Sequence, residues 1–250
     1  MKINLLAPVF ALMALGLLSA NSQPMPAGPD FRGAMSKLFG DNHTFSATLE
    51  MQTTDGSGNN LSMPGQICYD TGKSRFECNL TDAKGSKANA SQMKAMGLDQ
   101  IVAIRLPDQK LNYLICPGLQ SYVETKTQKS EADAADYKME VTEMAKETVD
   151  GHPCVKNKVV VTDKDGAKHE STVWNATDLK SFPVKIQTDE HGRDATMLFR
   201  NVSLTAPAAS QFAPPADYRK YDSMQAMMQM EVMKHMGPAM MNGGMSPPPH

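Results

Sequence analysis

Ile101-Val102-Ala103-Ile104-Arg105-Leu106, Pro107-Asp108-Gln109-Lys110 and Leu111-Asn112-Tyr113-Leu114-Ile115-Cys116 follow one another without a break. The outer two runs are short and apolar, and the middle one is turn chemistry: proline presets φ, and aspartate bonds its own backbone. Two strands joined by a tight turn are the reading. The rhythm continues on both sides. His43 to Thr53 alternates, with Phe45, Ala47, Leu49 and Met51 on one face. Gln66 to Tyr69 and Ser74 to Leu80 flank Asp70-Thr71-Gly72-Lys73, and Ser121 to Lys126 follows Pro117-Gly118. Tyr137 to Val149 and Pro153 to Thr162 flank Asp150-Gly151-His152. Lys168 to Asn175, Phe182 to Thr188 and Ala195 to Leu204 complete the series. Short helices are expected over Asp30 to Phe39 and Ala88 to Met96, each followed by a glycine stop. Roughly ten strands at this spacing predict a mainly β (α+β) fold built on an antiparallel sheet, sandwich or barrel.

The 250 residues carry 25 Lys+Arg against 27 Asp+Glu, a formal charge of −2, and 41% are hydrophobic. That balance excludes a global basic footprint for nucleic acid. It also excludes a polytopic membrane protein and a wholly disordered chain. Met1-Lys2, the apolar run Leu5 to Leu18 and Leu18-Ser19-Ala20 read as a secretory signal peptide cut near Ala20. The expected location is periplasmic or secreted, and no later apolar run is long enough to span a membrane. The expected organisation is a signal peptide over 1–20, a leader and short helix over 21–40, and a β domain over 41–216. A Met-rich helix over 217–236 and a disordered Pro/Gly/Met tail over 237–250 follow.

Four cysteines, Cys68, Cys78, Cys116 and Cys154, sit in the expected mature part. An even count in an exported chain favours disulfides, and four cysteines allow three connectivities. Cys68 with Cys78 across the Asp70-Thr71-Gly72-Lys73 turn is the favoured pair, leaving Cys116 with Cys154. Without a CxxC, neither a thioredoxin-type site nor a zinc knuckle is suggested.

Catalytic signatures are scarce: there is no GxSxG, HExxH or Walker loop. Ser91-Gln92-Met93-Lys94 matches SxxK on an expected surface helix, with no KTG after it. His152 beside Cys154 reads as a polar turn residue, and Asp163-Lys164-Asp165-Gly166 as a hairpin turn without calcium-loop spacing. Five N-x-S/T sequons begin at Asn42, Asn79, Asn89, Asn175 and Asn201. A non-enzymatic binding protein is the expectation.

Methionine is the outlier, with 20 residues, of which 9 lie between Met224 and Met245. Tyr221, Met224, Met228, Val232 and Met236 fall on one helical stripe, and Met227, Met230 and Met233 on its neighbour. Three uses stay open: packing against the domain or an apolar partner, lying on a membrane surface, or binding copper(I) through Met227, Met230, Met233, Met236 and His235.

Several strings also carry a family likeness. They begin with Asp70-Thr71-Gly72-Lys73-Ser74-Arg75-Phe76-Glu77, the Ile101 to Lys110 run, and Tyr113-Leu114-Ile115-Cys116-Pro117-Gly118-Leu119-Gln120-Ser121-Tyr122. Glu147-Thr148-Val149-Asp150-Gly151-His152-Pro153-Cys154, Val173-Trp174-Asn175-Ala176-Thr177-Asp178-Leu179 and Phe182-Pro183-Val184-Lys185-Ile186 follow. Over about Phe45 to Tyr218 the chain resembles secreted bacterial domains of unknown function similar to the periplasmic lipoprotein-carrier (LolA/LolB-like) fold. That resemblance implies an incomplete antiparallel β-barrel wrapped round short helices, with an apolar cavity for an acyl chain, a lipidated protein or another apolar ligand. Arg75 and Arg105 are the candidate cavity arginines. The Met-rich extension departs from the carriers proper.

Overall fold

A computed structural model describes residues 33–54, 58–85, 89–126, 137–189, 194–232 and 234. The expected signal peptide, most of the leader, and the tail from 235 onward lie outside the described residues. The strands are β1 (Thr44–Thr54), β2 (Asn60–Asp70), β3 (Lys73–Asn79), β4 (Gln100–Leu106), β5 (Leu111–Cys116) and β6 (Ser121–Lys126). After them come β7 (Lys138–Val149), β8 (His152–Thr162), β9 (Lys168–Ala176), β10 (Phe182–Asp189), β11 (Asp194–Ser203) and β12 (Arg219–Tyr221). All twelve form one sheet in the order β12-β6-β5-β4-β3-β2-β1-β11-β10-β9-β8-β7. Every neighbouring pair is antiparallel except β12 with β6. Among the described residues the sheet does not close, and β12 and β7 are its edges.

Tight turns dictate most of this order. Pro107–Gln109 and Pro117–Leu119 each form one 3₁₀ turn, closed by Lys110 and Gln120 in the left-handed region. They reverse the chain between β4, β5 and β6. One long-range pairing joins the two meanders: β1 meets β11 with Leu49 opposite Phe199 and Met51 opposite Met197.

Register decides which side chains face inward. Met63, Met51, Met197, Ile186 and Val173 stand side by side across β2, β1, β11, β10 and β9. All belong to, or pack against, one core drawn from both halves of the sheet. The short helix α1 (Ala34–Lys37) rests on β8 and leads into Leu38 and Phe39, which are buried in that core. Phe39 meets Phe45 at 5.1 Å, Tyr69 at 6.4 Å, and Phe182 and Phe199 at 5.7 Å each, between ring centroids. Stacked and edge-on contacts of this kind add to area burial. A second core lies on the opposite face of β3–β6. There Val102, Ile104, Leu106 and Ile115 are covered by Phe212, which arrives on the turn Ala209–Phe212.

Trp174 lies away from the inner row. Its indole N–H donates to Glu147 at 3.0 Å, and the Lys156 and Lys185 ammoniums sit 5.1 and 4.3 Å from its ring centre. All five sequon asparagines make side-chain hydrogen bonds, Asn201 by donating to the Thr48 hydroxyl at 3.4 Å. Asn42 is buried and donates to the Phe39 and Lys180 carbonyls. Asn79 and Asn89 accept from the first turns after them, and Asn175 donates to Ser181.

Several expectations need correction. The structure has twelve strands rather than about ten. β2 begins at Asn60, six residues earlier than read, and runs through Met63-Pro64-Gly65. Pro64 is tolerated because β3 pairing begins only at Gly65, so the edge where Ser62 instead meets Lys84 asks no donor of Pro64. Gly65 is required by close approach: a β-carbon there would lie 2.6 Å from the Phe76 ring and the Glu77 carbonyl. The first helix spans only Ala34–Lys37.

The single helix expected over 217–236 is instead β12, helix α3 (Met224–Met227) and a π-helical turn, Met228–Val232. Arg219-Lys220-Tyr221 pairs as a strand because the β6 edge offers it a ladder. The helix then starts at Ser223, whose hydroxyl accepts from the Ala226 amide at 3.1 Å.

Two outcomes follow. Gly65→Ala forces Phe76 aside and lowers unfolding stability by about 1–3 kcal/mol, measured by urea titration; an unchanged midpoint refutes the close-approach account. On the strand surface, Arg200 donates to Glu50 at 2.6 Å, and this bond more than any other lowers the Glu50 carboxyl from 4.5 to about 2. A carboxyl lowered by folding stabilises the fold above its unfolded value, and that contribution disappears as pH falls toward 2. Glu50→Gln should therefore flatten the loss of melting temperature between about pH 4.5 and pH 2; an identical acid profile refutes this.

Candidate functional site

The inner face of the sheet is the first candidate. α1 rests on β8, where Val159 and Val161 are buried. Their cross-strand partners on β7 are Val141 and Met139, which therefore point to the same side. Nothing described covers them: Met139 is 44% exposed and Val141 53%, and Met144, in the bulge between Glu143 and Ala145, is 56% exposed. These are three of the four large apolar side chains noted as exposed among the described residues. An apolar strip thus continues from the packed core onto the bare edge strand.

The two candidate arginines fall on opposite faces of the sheet. Arg105 has the parity of Ile101 and Ala103 and lies in a polar inner-face row with Tyr69, Ser74 and Asn112. Arg75 stands opposite Ile104, on the face of the second core. It donates to Glu77 at 2.7 Å and to the Gln211 carbonyl at 3.5 Å, beside the segment that brings Phe212. Arg75 is therefore corrected from an inner-cavity candidate to an outer-face residue. The difference is one of parity, since the residues occupy opposite phases of adjacent strands.

All four cysteines are free. The expected Cys68–Cys78 bridge does not form, and register explains why. Cys68 is opposite Arg75 and Cys78 opposite Gly65, three positions apart along the β2–β3 ladder. At ~3.3 Å per residue that offset alone exceeds the reach of a disulfide. The two side chains also lie in different cores. Cys116 and Cys154 likewise belong to separate clusters. Burial pushes the Cys78 and Cys116 thiols up to about 12.

An open recess of about 480 Å³ is lined by Lys146, Glu147, Thr148, Pro153, Cys154, Val155 and Thr177. The neighbouring His152 gives its Nδ1 to Asp178 at 2.8 Å, while the Cys154 thiol donates to the His152 carbonyl at 3.3 Å. Burial first of all raises the Cys154 thiol. A protonated thiol bonded to a backbone oxygen lacks the activation that a nucleophile needs. In the Asp163 turn, the carboxylate accepts from the Asp165 and Ala167 amides at 2.9 and 2.8 Å, as a turn residue does.

The Met-rich segment packs back on the domain. Met227 is fully buried with Leu98, Cys116, Leu119 and Val123, and Tyr221, Met224 and Met228 join them. Met230 is 54% exposed. Met227 and Met230 therefore do not share a face, and the expected copper set is not assembled from these two. The π turn is the reason, because its wider step shifts the phase of the stripe. Met233, His235 and Met236 lie outside the described residues.

The helix end is tied down by Glu231. It accepts from Tyr221, from Arg219 at 3.0 Å and from Lys234 at 3.2 Å. The Tyr221 hydroxyl, followed by the two cations, keeps its carboxyl below the usual range. Among the described residues no helix is long and apolar enough to cross a membrane, and no group of three His, Cys, Asp or Glu is placed to hold a metal ion.

No family model matches the sequence, and no curated protein matches it. Solved structures do. LprF from Mycobacterium bovis aligns at TM-score 0.40 and 13% identity, over 74% of this chain and 93% of that one. Lipoprotein LppX of Mycobacterium tuberculosis aligns at 0.38 and 10%, over 69% and 94%. A LolA superfamily protein from Nitrosomonas europaea aligns at 0.37 and 9%, over 73% and 98%. The chain thus resembles the LolA superfamily, LppX and LprF in structure, at a distance where no ligand or residue role carries over.

Proposed function

We propose that this is an exported, non-enzymatic binding protein that holds an acyl chain, a lipidated protein or another apolar ligand against the inner face of its open sheet. The observation that carries this reading is the strip of Met139, Val141 and Met144, which nothing described covers and which is continuous with a buried core. Apolar surface left in water at the edge of a sheet gains free energy when a chain lies on it. The gain is roughly 0.8 kcal/mol for each methylene buried. Thioethers suit the task, because unbranched methionines adjust to ligands of different shape. The sheet itself needs no chemistry for this, only a face that is more apolar than its covering.

Two measurements on the full mature chain test the reading. Mass spectrometry of protein taken from its native envelope should find co-purifying lipid, and a fluorescent fatty acid should bind. Val141→Lys, on an exposed edge where it leaves the melting temperature unchanged, should weaken that binding at least tenfold. A lipid-free preparation that takes up no fatty acid, or equal affinity in Val141→Lys, overturns the reading.

A further inference from the structure

The cluster around Met227 has an unusual composition. Its members are Leu98, Cys116, Leu119, Val123 and Met227, with Met96, Tyr221, Met224 and Met228 packed against them. Five of these nine residues carry sulfur: one thiol and four thioethers. They come from three distant parts of the chain, and the fold brings them together by identifiable means. Met96 ends the helix α2 (Ala90–Ala95), and Gly97 follows in the left-handed region at φ 68°. Gly97 lies directly against Gly118: a β-carbon on Gly118 would be 2.6 Å from the Gly97 carbonyl oxygen. That crossing of two bare backbones sets Met96 beside the turn that follows Cys116. The parallel pairing of β12 with β6 then delivers α3, with Tyr221 opposite Val123.

Cys116 is 1% exposed, and among the described residues its sulfur makes no hydrogen bond, unlike Cys154. It is a buried group with donor capacity, packed in one cluster with the side chains of four methionines. We propose that Cys116, with Met227 and thioethers from Met96, Met224 and Met228, forms a binding site for a univalent soft metal ion, of which copper(I) and silver(I) are the class. The site is separate from the acyl-binding face and does not depend on it.

The chemistry selects the ion. Soft thiolate and thioether ligands favour copper(I), and thioethers have little attraction for hard cations. Charge argues the same way. On binding, the Cys116 S–H bond breaks, a sulfur–metal bond forms and one proton leaves to solvent; no electron is transferred. One thiolate and one univalent ion sum to zero, so no net charge is left in an apolar cluster. A divalent ion would leave a buried positive charge, which is costly. Half-buried Met224 and Met228 sit on the outer side and offer the way in.

The test uses silver(I) and the full chain carrying Cys68→Ser, Cys78→Ala and Cys154→Ala, so that Cys116 is its only thiol. Excess free methionine strips weak thioether sites of the tail. One equivalent of silver should remain, with only sulfur around it in X-ray absorption and one proton released per ion. Restoring the other cysteines should leave this equivalent in place. Replacing Met96, Met227 and Met228 together with leucine keeps the volume and the fold, and should weaken retention at least tenfold although Cys116 is untouched. Silver that is not retained, nitrogen or oxygen ligands, or full retention in the leucine variant overturns the proposal.

Discussion

Phe39 is the pivot of the molecule. One ring touches aromatic side chains from β1, β2, β10 and β11, the strands at which the two meanders meet. The ladders of an open antiparallel sheet are satisfied whatever covers its faces, so what draws a covering element onto one face is apolar area, and this aromatic group is a buried part of it. With it in place, α1 is drawn onto β8, the inner row from Met63 to Val173 becomes core, and nothing described covers the edge strand β7. The candidate ligand face is thus the remainder of a packing problem: among the described residues, the sheet of twelve strands is wider than α1 covers.

Much of this was legible beforehand, because turns and alternation are local. Eleven of the twelve strands were expected, and both proline-led turns lie where the sequence placed them. The misses have a common cause. Nothing local in Pro64-Gly65 reveals that β3 stops beside the proline, or that the Phe76 ring must lie over the glycine. Arg219-Lys220-Tyr221 has no strand character without the β6 edge. Tyr221, Met224 and Met228, expected on one helical stripe, do share a cluster, but Tyr221 enters it from a strand, Met227 of the neighbouring stripe is buried in the same cluster, and the π turn changes the phase beyond.

Site residues were less legible than the fold. Arg75 and Arg105 look alike in sequence and differ only in which face their strand phase gives them. The cysteines invited pairing by count and by spacing along the chain, whereas the ladder offsets the nearest two by three positions. The sulfur cluster was half visible. The methionines were conspicuous, but their cysteine and Met96 come from elsewhere and are joined only through the contact between Gly97 and Gly118.

The pairing of β1 with β11 also sets a timetable. Leu49 cannot meet Phe199 until some 150 further residues exist, and loop-closure entropy makes such long-range pairings slow to form. The hairpins on either side can assemble early, but each then exposes half of an apolar face with nothing to close it. A chain emerging in order would wait in that state until β11 arrives, and β6 would wait longer still for β12. A holding chaperone would find its substrate in that interval, with the same apolar surface that later becomes the core.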